Sequence, residues 1–383
     1  MKILFEDTMP HAATYFAELG NATPYRWQDI QPKDLIDVDV LAVRSTTKVN
    51  PHLLAQANRL QYVTTATAGI NHFDIESLED KGIAWGSAAG CNAVAVAQYV
   101  FSVLLNAEKD KFVDLDVIRV GIVGAGNVGT QLTKLLDVFD IDYVLYDPIL
   151  ASHGDPREFG TLDDVFECDV VTLHVPYTQG GNYPTAKMVN EARLAQLNAH
   201  QLLINACRGE VVDEQALLAR LAQSDCPRVV LDVFENEPDI DMTLVDKVWL
   251  ATPHIAGHTI EGKIRGTQMV YDQICALKNS PATCQMTQFL PPVSPLNFDA
   301  FAKDYKGLRP SDVYQLLLSI YDIQDDDRHF RKCMAQSSQF AALRKQYRVR
   351  REYSAFTVHV PESLDDISVS QLMSLGFKVV VVD

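Results

Sequence analysis

The chain has 383 residues, 47% of them hydrophobic and 22% charged, with a formal net charge of −17. That length holds two or three domains and a large core, within the composition range of a soluble globular enzyme. The acidic balance argues against a nucleic-acid-binding protein, and no apolar run reaches the roughly 20 residues of a membrane helix, so neither nucleic acid nor membrane is an expected partner. The opening Met1-Lys2-Ile3-Leu4-Phe5-Glu6-Asp7 places acids directly after a short apolar run, which is not a signal-peptide pattern. Seven scattered cysteines without a C-x-x-C pair read as reduced thiols of a cytoplasmic protein, with no disulfide frame and no metal site.

Residues 2–5 read as an opening strand and residues 10–20, closing on Gly20, as a helix. A second buried strand at 38–43 ends in Arg44-Ser45-Thr46-Thr47-Lys48. A third at 60–64 leads into Thr65-Ala66-Thr67-Ala68-Gly69-Ile70-Asn71-His72. Strands alternating with helices predict a parallel, doubly wound sheet, in which ligands bind beyond the carboxyl ends of the strands. Both small-polar clusters stand there. Their hydroxyls and N–H groups suit carboxylates and phosphates, with Arg44 or Lys48 supplying charge, although Ser45 and Thr67 read equally well as loop caps. The pattern at 92–109 is one long helix that crosses into the next domain.

That domain opens with Arg119-Val120-Gly121-Ile122-Val123-Gly124-Ala125-Gly126-Asn127-Val128-Gly129: a β-branched strand, then G-x-G-x-x-G, then a helical pattern at Leu132, Leu135 and Leu136. Gly124 makes the turn, Gly126 lets the backbone approach a pyrophosphate, and Gly129 permits close helix–strand packing. Asn127, Val128 and Gly129 open a helix whose free N–H groups and positive dipole end suit phosphates. A second strand ends at Asp147, 18 residues after Gly129. An acid there hydrogen-bonds an adenosine ribose diol and repels a 2′-phosphate, so the expected cofactor is NAD. Strand candidates at 119–123, 143–147, 169–175, 201–206, 229–233 and 248–251 complete a Rossmann unit ending near residue 255.

Three blocks end successive strands: Asn205-Ala206-Cys207-Arg208-Gly209-Glu210-Val211-Val212-Asp213, Asp232-Val233-Phe234-Glu235-Asn236-Glu237-Pro238, and Pro253-His254-Ile255-Ala256-Gly257-His258. Singly, Arg208 reads as a surface residue, Glu235 and Glu237 as surface or cap acids, and His254 as a cap with His258 as its competitor. Together they are what hydride transfer needs. Histidine takes and returns the alcohol proton near neutrality. A carboxylate on its other ring nitrogen fixes the tautomer. An arginine anchors a carboxylate bidentately and polarises the reacting carbonyl. The expected roles are Arg208 anchor, Glu237 orienter and His254 acid/base. Cys207, beside Arg208, could have a depressed pKa but reads as a small packing residue.

The helix at 256–279 is expected to return to the first domain, making that domain discontinuous. Pro281, Pro291, Pro292 and Pro295 then mark a linker. The remaining chain reads as a helix at 311–321, an acidic loop Asp325-Asp326-Asp327, a helix near 327–346, a strand at 356–360, a helix at 364–375 and a strand at 377–382. Residues 328–351 hold eight Lys and Arg and no acid. They read first as a solvated or inter-subunit face, and second as arginines reaching a phosphate in an adjacent subunit.

The three blocks resemble the N-x-x-R-G-x-x-V-D, D-V-x-x-x-E-P and P-H-I-A signatures of the D-isomer-specific 2-hydroxyacid dehydrogenases, over about residues 1–280. The resemblance implies an α/β protein with two doubly wound, Rossmann-like parallel-sheet domains. It carries substrate contacts onto Ser45 and Thr67, and NAD contacts onto Asp147, the backbone of Ala206, Cys207 and Arg208, Asp232 and Gly257. Val43-Arg44-Ser45, Gly90-Cys91-Asn92-Ala93 and Glu261-Gly262-Lys263-Ile264-Arg265-Gly266-Thr267 point to a branch acting on a phosphorylated 2-hydroxy acid. That branch has a smaller C-terminal α+β dimerisation domain, which implies a homodimer. The division is then 1–95 with 256–285 as substrate (lid) domain, 96–255 as NAD-binding domain and 286–383 as dimerisation domain. Where the family usually has Tyr after H-I-A-G, this chain has His258, kept as a substrate contact through its imidazole. Val175 replaces a common Thr near the cofactor, so that contact is not carried over.

Two other readings remain open. One is another D-2-hydroxyacid dehydrogenase such as a 3-phosphoglycerate dehydrogenase, with 356–382 as part of an effector-binding domain. The other is an NAD-sensing interaction protein without catalysis, against which the intact Arg208, Glu237 and His254 stand.

Overall fold

The computed structural model describes residues 1–299, 304–336 and 340–382. The first of two units comprises Met1–Asn92 and His258–Pro292. Its strands are β1 (Lys2–Glu6), β2 (Asn21–Tyr25), β3 (Val40–Val43), β4 (Tyr62–Thr65) and β5 (Ala84–Ser87), all parallel in the order β2-β1-β3-β4-β5. β1, β3 and β4 are the apolar runs read from the sequence. β2 and β5 are not, because both are edge strands with mostly exposed or half-exposed residues, and β2 carries Pro24. An edge tolerates proline and has no buried face on one side to impose an apolar run. The helix Ile260–Leu277 packs on this sheet. A Cβ at Gly266 would stand 2.4 Å from the Ala66 carbonyl, so only glycine lets the helix press against the end of β4. Gln273 then accepts from Thr64 Oγ1 at 2.6 Å, and Gln268 from Tyr15 Oη at 3.0 Å.

The second unit comprises Ala93–Gly257 and Val293–Asp383. Its main sheet holds β6 (Arg119–Val123), β7 (Asp142–Tyr146), β8 (Val170–Leu173), β9 (Leu202–Asn205), β10 (Arg228–Leu231) and β11 (Leu250–Ala251). All pair in parallel, in the order β11-β10-β9-β8-β6-β7. The chain reverses its winding between β6 and β8, the crevice where doubly wound sheets bind ligands. The helix Ala93–Lys109 is buried along nearly its whole length. It is covered by the helix Asn127–Asp137 on one side and by Pro310–Ile320 and Ile323–Gln336 on another. A helix apolar all round is one packed on several sides.

The C-terminal segment forms a three-stranded parallel sheet, β12 (Leu296–Asn297), β13 (Thr357–Pro361) and β14 (Lys378–Val382), with the helix Asp366–Ser374 linking the last two. The acidic loop expected at 325–327 is instead the first turn of the helix Ile323–Gln336. Acids are favourable at that positive end, and two of these are also buried. Asp326 accepts from Tyr347 Oη at 2.6 Å and Arg348 Nε at 3.0 Å, and Asp327 from the Ala251 N–H at 2.7 Å. The helix expected near 327–346 is described over Ile323–Gln336 and Phe340–Lys345, and residues 337–339 of that expectation lie outside the described residues.

Candidate active site

In the second unit the glycine-rich turn sits at the β6/β8 switch point. Gly124 has φ +95°, and a Cβ there would stand 2.6 Å from the His174 carbonyl at the end of β8. A Cβ on Gly129 would meet the Gly124 carbonyl at 2.4 Å, so the helix Asn127–Asp137 lies directly on the turn. At Gly126, the N-cap of that helix, nothing stands within 4 Å of an added Cβ. This open cradle, faced by the first-turn N–H groups of Asn127, Val128 and Gly129, fits a pyrophosphate. Asp147 follows β7 and reaches the same turn. Its Oδ2 accepts from the Ala125 N–H at 3.1 Å and its Oδ1 from Leu150 N–H at 3.0 Å. Arg157, which no sequence pattern marks, braces the turn from outside: Nη1 donates to the Ala125 carbonyl at 2.9 Å and to Thr130 Oγ1 at 3.0 Å.

The loops after β9, β10 and β11 form one packed set. Asn205 Nδ2 donates to the Arg208 carbonyl at 2.9 Å, while its Oδ1 accepts from the Cys207 N–H at 3.2 Å. A Cβ on Gly209 would overlap the Phe234 backbone at 2.0 Å, so the arginine loop and the Glu237 loop touch through bare backbone. The sequence reading gave neither Asn205 nor Gly209 a role, although both flank Arg208 at fixed offsets. Burial pushes the Cys207 thiol up to about 11, the opposite of an activated cysteine. The Arg208 side chain folds back, with Nη1 donating to the Cys207 carbonyl at 2.6 Å, and hydrogen-bonds neither Glu237 nor His254. Ala206 is half-buried on this loop.

Glu237 and His254 meet. His254 Nδ1 and Glu237 Oε2 are 2.7 Å apart, and Glu237 Oε1 accepts from the Phe234 N–H at 3.1 Å. The carboxylate is thereby anchored, and Nε2 of the imidazole is left to exchange a proton. His254 itself has φ +56°, a left-handed conformation costly for a residue with a Cβ. Asp232, 1% exposed, holds the strand-end segment in place. Oδ1 accepts from Thr252 Oγ1 at 2.7 Å and the Ile255 N–H at 2.7 Å, and Oδ2 from the Ala256 N–H at 3.0 Å. Thr252 in turn pairs with Tyr99 Oη at 2.8 Å. Burial pushes the Asp232 carboxyl up, and the nearby His254 charge and these donors oppose it. Asp232 thus serves the fold of the histidine segment, a role no motif spacing revealed. Gly257 ends this segment.

Ser45, Thr67 and His258 belong to the first unit. Glu6, the last residue of β1 and fully buried, gathers the loop that carries Ser45. It accepts from the Arg44 N–H at 3.0 Å and from the hydroxyls of Thr46 at 2.6 Å and Thr47 at 2.7 Å. Burial pushes its carboxyl up, but these bonds and that of Thr8 outweigh it and the net shift is downward. Ser45 remains exposed. Thr67 Oγ1 pairs with Thr65 Oγ1 at 2.8 Å, which pairs with His72 Nε2 at 3.0 Å. His258 precedes Thr259, whose hydroxyl caps the helix Ile260–Leu277. Lys263, in the first turn of that helix, titrates below the ordinary lysine range because of burial and of the neighbouring Arg44 charge.

The cationic stretch 328–351 divides: Arg328, Lys332, Lys345 and Arg348 are exposed, whereas Arg331 and Arg344 are half-buried and Arg350 and Arg351 buried. Arg331 pairs with Asp327 at 2.8 Å and donates to the Val248 carbonyl at 3.0 Å, tying the C-terminal helix Ile323–Gln336 to the end of the helix Met242–Lys247. Arg350 is 2% exposed. Its guanidinium is taken up inside the unit by backbone carbonyls.

Comparison with known proteins agrees with this geometry. Residues 97–256 match the family described as D-isomer specific 2-hydroxyacid dehydrogenase, NAD binding domain, and residues 296–376 match a domain of unknown function. The fold is similar to NAD+-bound 3-phosphoglycerate dehydrogenase of Entamoeba histolytica (TM-score 0.61, 20% identity, 73% of this chain and 95% of that one). It is also similar to D-lactate dehydrogenase of Aquifex aeolicus (TM-score 0.57, 23% identity, 73% and 96%). A glycine turn at the switch point and an anchored Glu–His pair at strand ends define an NAD-dependent 2-hydroxyacid dehydrogenase. The chain is 47% identical to the erythronate-4-phosphate dehydrogenase of Pseudoalteromonas atlantica, over 94% of this chain and 95% of that one. It is 42% identical to that of Marinobacter nauticus, over 99% of both. The chain belongs to the erythronate-4-phosphate dehydrogenase family of D-2-hydroxyacid dehydrogenases.

Proposed function

We propose that the protein oxidises 4-phospho-D-erythronate at C2 to 2-oxo-3-hydroxy-4-phosphobutanoate, in the biosynthesis of pyridoxal 5′-phosphate. The observation that carries the chemistry is the 2.7 Å contact between His254 Nδ1 and Glu237 Oε2. NAD, when bound, supplies the hydride acceptor for the hydrogen on C2. His254 Nε2 takes the proton of the C2 hydroxyl, and Glu237 stabilises the imidazolium so formed. Arg208 swings from the Cys207 carbonyl to the substrate carboxylate, which offers a charged acceptor in place of a neutral one. The cofactor would be held by the Gly124–Gly129 turn, by Asp147 through its ribose and by the loop at 206–208, with Asp232 and Gly257 completing its contacts.

The first unit supplies the anion contacts: Ser45, Thr67 and His258 as donors, with Arg44 and Lys263 as neighbouring cations suited to the phosphate. Residues 286–383 are the dimerisation region of a cytoplasmic homodimer. The exposed valines of the edge strand β14, Val380 at 45% and Val381 at 55%, support that reading. Among the described residues no helix is long and apolar enough to cross a membrane.

The test is NADH formation with 4-phosphoerythronate beside 3-phosphoglycerate, D-lactate and D-glycerate, with a 2-oxo acid present to permit turnover. A preference for 4-phosphoerythronate is expected. A preference for another acid would reassign the substrate, and NAD binding without turnover on any of them would point to a sensing protein. Lys263→Met should raise KM about tenfold for the phosphorylated acid with little change in kcat. An unchanged KM would remove Lys263 from the phosphate site.

A further inference from the structure

Two arginines of the C-terminal segment end on the backbone of the histidine segment. Arg344 Nε donates to the His254 carbonyl at 3.3 Å. Arg350 Nη1 donates to the Ala256 carbonyl at 3.0 Å and Nη2 to the Ala95 carbonyl at 2.7 Å. The Arg350 guanidinium lies over the Tyr321 ring, 3.5 Å from its centroid. We propose that Arg344 and Arg350 are positioning residues for the acid/base His254, so that the C-terminal segment is part of the catalytic apparatus as well as of the assembly. The proposal rests on the acid/base reading of His254.

The argument is one of opposed anchors. The N–H groups of Ile255 and Ala256 are fixed on the Asp232 carboxylate. The carbonyls of His254 and Ala256 are fixed on the two guanidinium groups. Ala256 therefore lies between a buried anion and a buried cation, with its peptide dipoles aligned to both. His254 stands in this held stretch in a left-handed conformation, which persists only where the surroundings over-determine it. Removing the carbonyl anchors leaves Asp232 pulling from one side alone. A planar fork bridges two carbonyls, Ala95 and Ala256, that a lysine ammonium cannot reach with the same geometry.

First-turnover NADH formation with 4-phosphoerythronate in excess over enzyme, and no 2-oxo acid to permit a second turnover, separates positioning from folding because the amplitude counts folded sites. A misplaced base slows the rate constant at full amplitude, whereas a partly unfolded sample loses amplitude at an unchanged rate constant. Arg350→Met should slow the rate constant about 10- to 100-fold, the scale of a misplacement of roughly 1 Å. Arg350→Lys should recover part of it, and Arg344→Gln should cost several-fold. NADH affinity, measured by fluorescence, should stay within about threefold of wild type in each. A folded Arg350→Met with the wild-type rate constant, or one that loses only amplitude, overturns the proposal. If Arg350→Met does not fold, Arg344→Gln decides by the same readout. His254→Ala serves as the reference. If it is slow while the arginine variants are not, only the positioning role fails. If it too keeps the wild-type rate constant, the acid/base reading fails with it.

Discussion

Two loops of this molecule, each with a proposed role in the reaction, are held by the same device and to different degrees. In the first unit a buried carboxylate at the end of β1, Glu6, collects one N–H and the hydroxyls of the loop after β3. In the second a buried carboxylate after β10, Asp232, collects two N–H groups and one hydroxyl of the segment after β11. The Glu6 loop is gripped on that side, with Ser45 and Thr46 left exposed. The Asp232 segment is gripped again from its carbonyl side, by Arg344 and Arg350. The difference matches the work proposed for each. An anion contact tolerates small displacements because charge attraction falls off slowly with distance. A proton transfer works only within hydrogen-bond reach of the proton moved.

The largest expected effect comes from emptying the tightly held position. His254→Ala should lower kcat by about 10²- to 10⁴-fold, the range for a lost general acid/base, while NAD affinity stays near wild type. A change in kcat of less than about threefold would end the contrast, since the doubly anchored segment would then hold nothing that reacts. Asp147→Ala follows. It should weaken NAD about tenfold and reduce discrimination against NADP, measured as the ratio of kcat/KM for the two cofactors. An unchanged ratio would mean that Asp147 serves only the turn, through Ala125 and Leu150.

Much of this site was legible before any coordinates. The glycine turn with Asp147 against it, and the meeting of Glu237 with His254, follow from residue type at fixed offsets at the strand ends of a parallel sheet, whereas the Arg208 side chain lies folded back on its own loop. What stayed hidden was support. Asp232 was read as a cofactor contact, and its hold on Thr252, Ile255 and Ala256 depends on a neighbouring strand. Glu6 sits in an opening strand about 40 residues from the loop it organises. Arg350 lies in a basic stretch that composition alone assigns to solvent, yet it is buried. In each case the partner is distant in sequence and is often a backbone group, which carries no residue signal. The edge strands β2 and β5 were missed for a related reason: their pairing is through backbone, and their side chains are largely exposed.

A smaller effect should follow from loosening the singly held loop. Glu6→Gln replaces an acceptor oxygen by a donor, so the hydroxyls of Thr46 and Thr47 and the Arg44 N–H can no longer all be met. KM for the phosphorylated acid should rise about tenfold with kcat within about threefold, the split expected when ground-state and transition-state binding are lost together. A fall in kcat as deep as that of His254→Ala, with KM unchanged, would make the first-unit loop as exacting as the histidine segment and erase the distinction.

The smallest effect concerns a third carboxyl doing the same job. Glu214 Oε1 accepts from the Glu235 N–H at 2.8 Å, bracing the loop that carries Glu237. Burial raises its pKa from 4.5 to about 7, with the charges of Glu235, Asp241 and Glu237 adding to the shift. Glu6, given several donors, moves the other way. The two acids therefore set opposite pH dependences. An acid that holds its proton more tightly folded than unfolded loses stability as pH climbs from 4.5 to about 7, because the unfolded chain ionises first. An acid whose folded pKa is depressed contributes stability above its ordinary pKa and loses it as pH falls through the folded one. Relative to wild type, Glu214→Gln should gain Tm as pH is raised across that window and level off above it. Glu6→Gln should lose most above the ordinary glutamate range and recover as pH falls. Melting curves between pH 4 and 8 that keep a constant offset from wild type for both variants would show that donor supply does not distinguish the two sites.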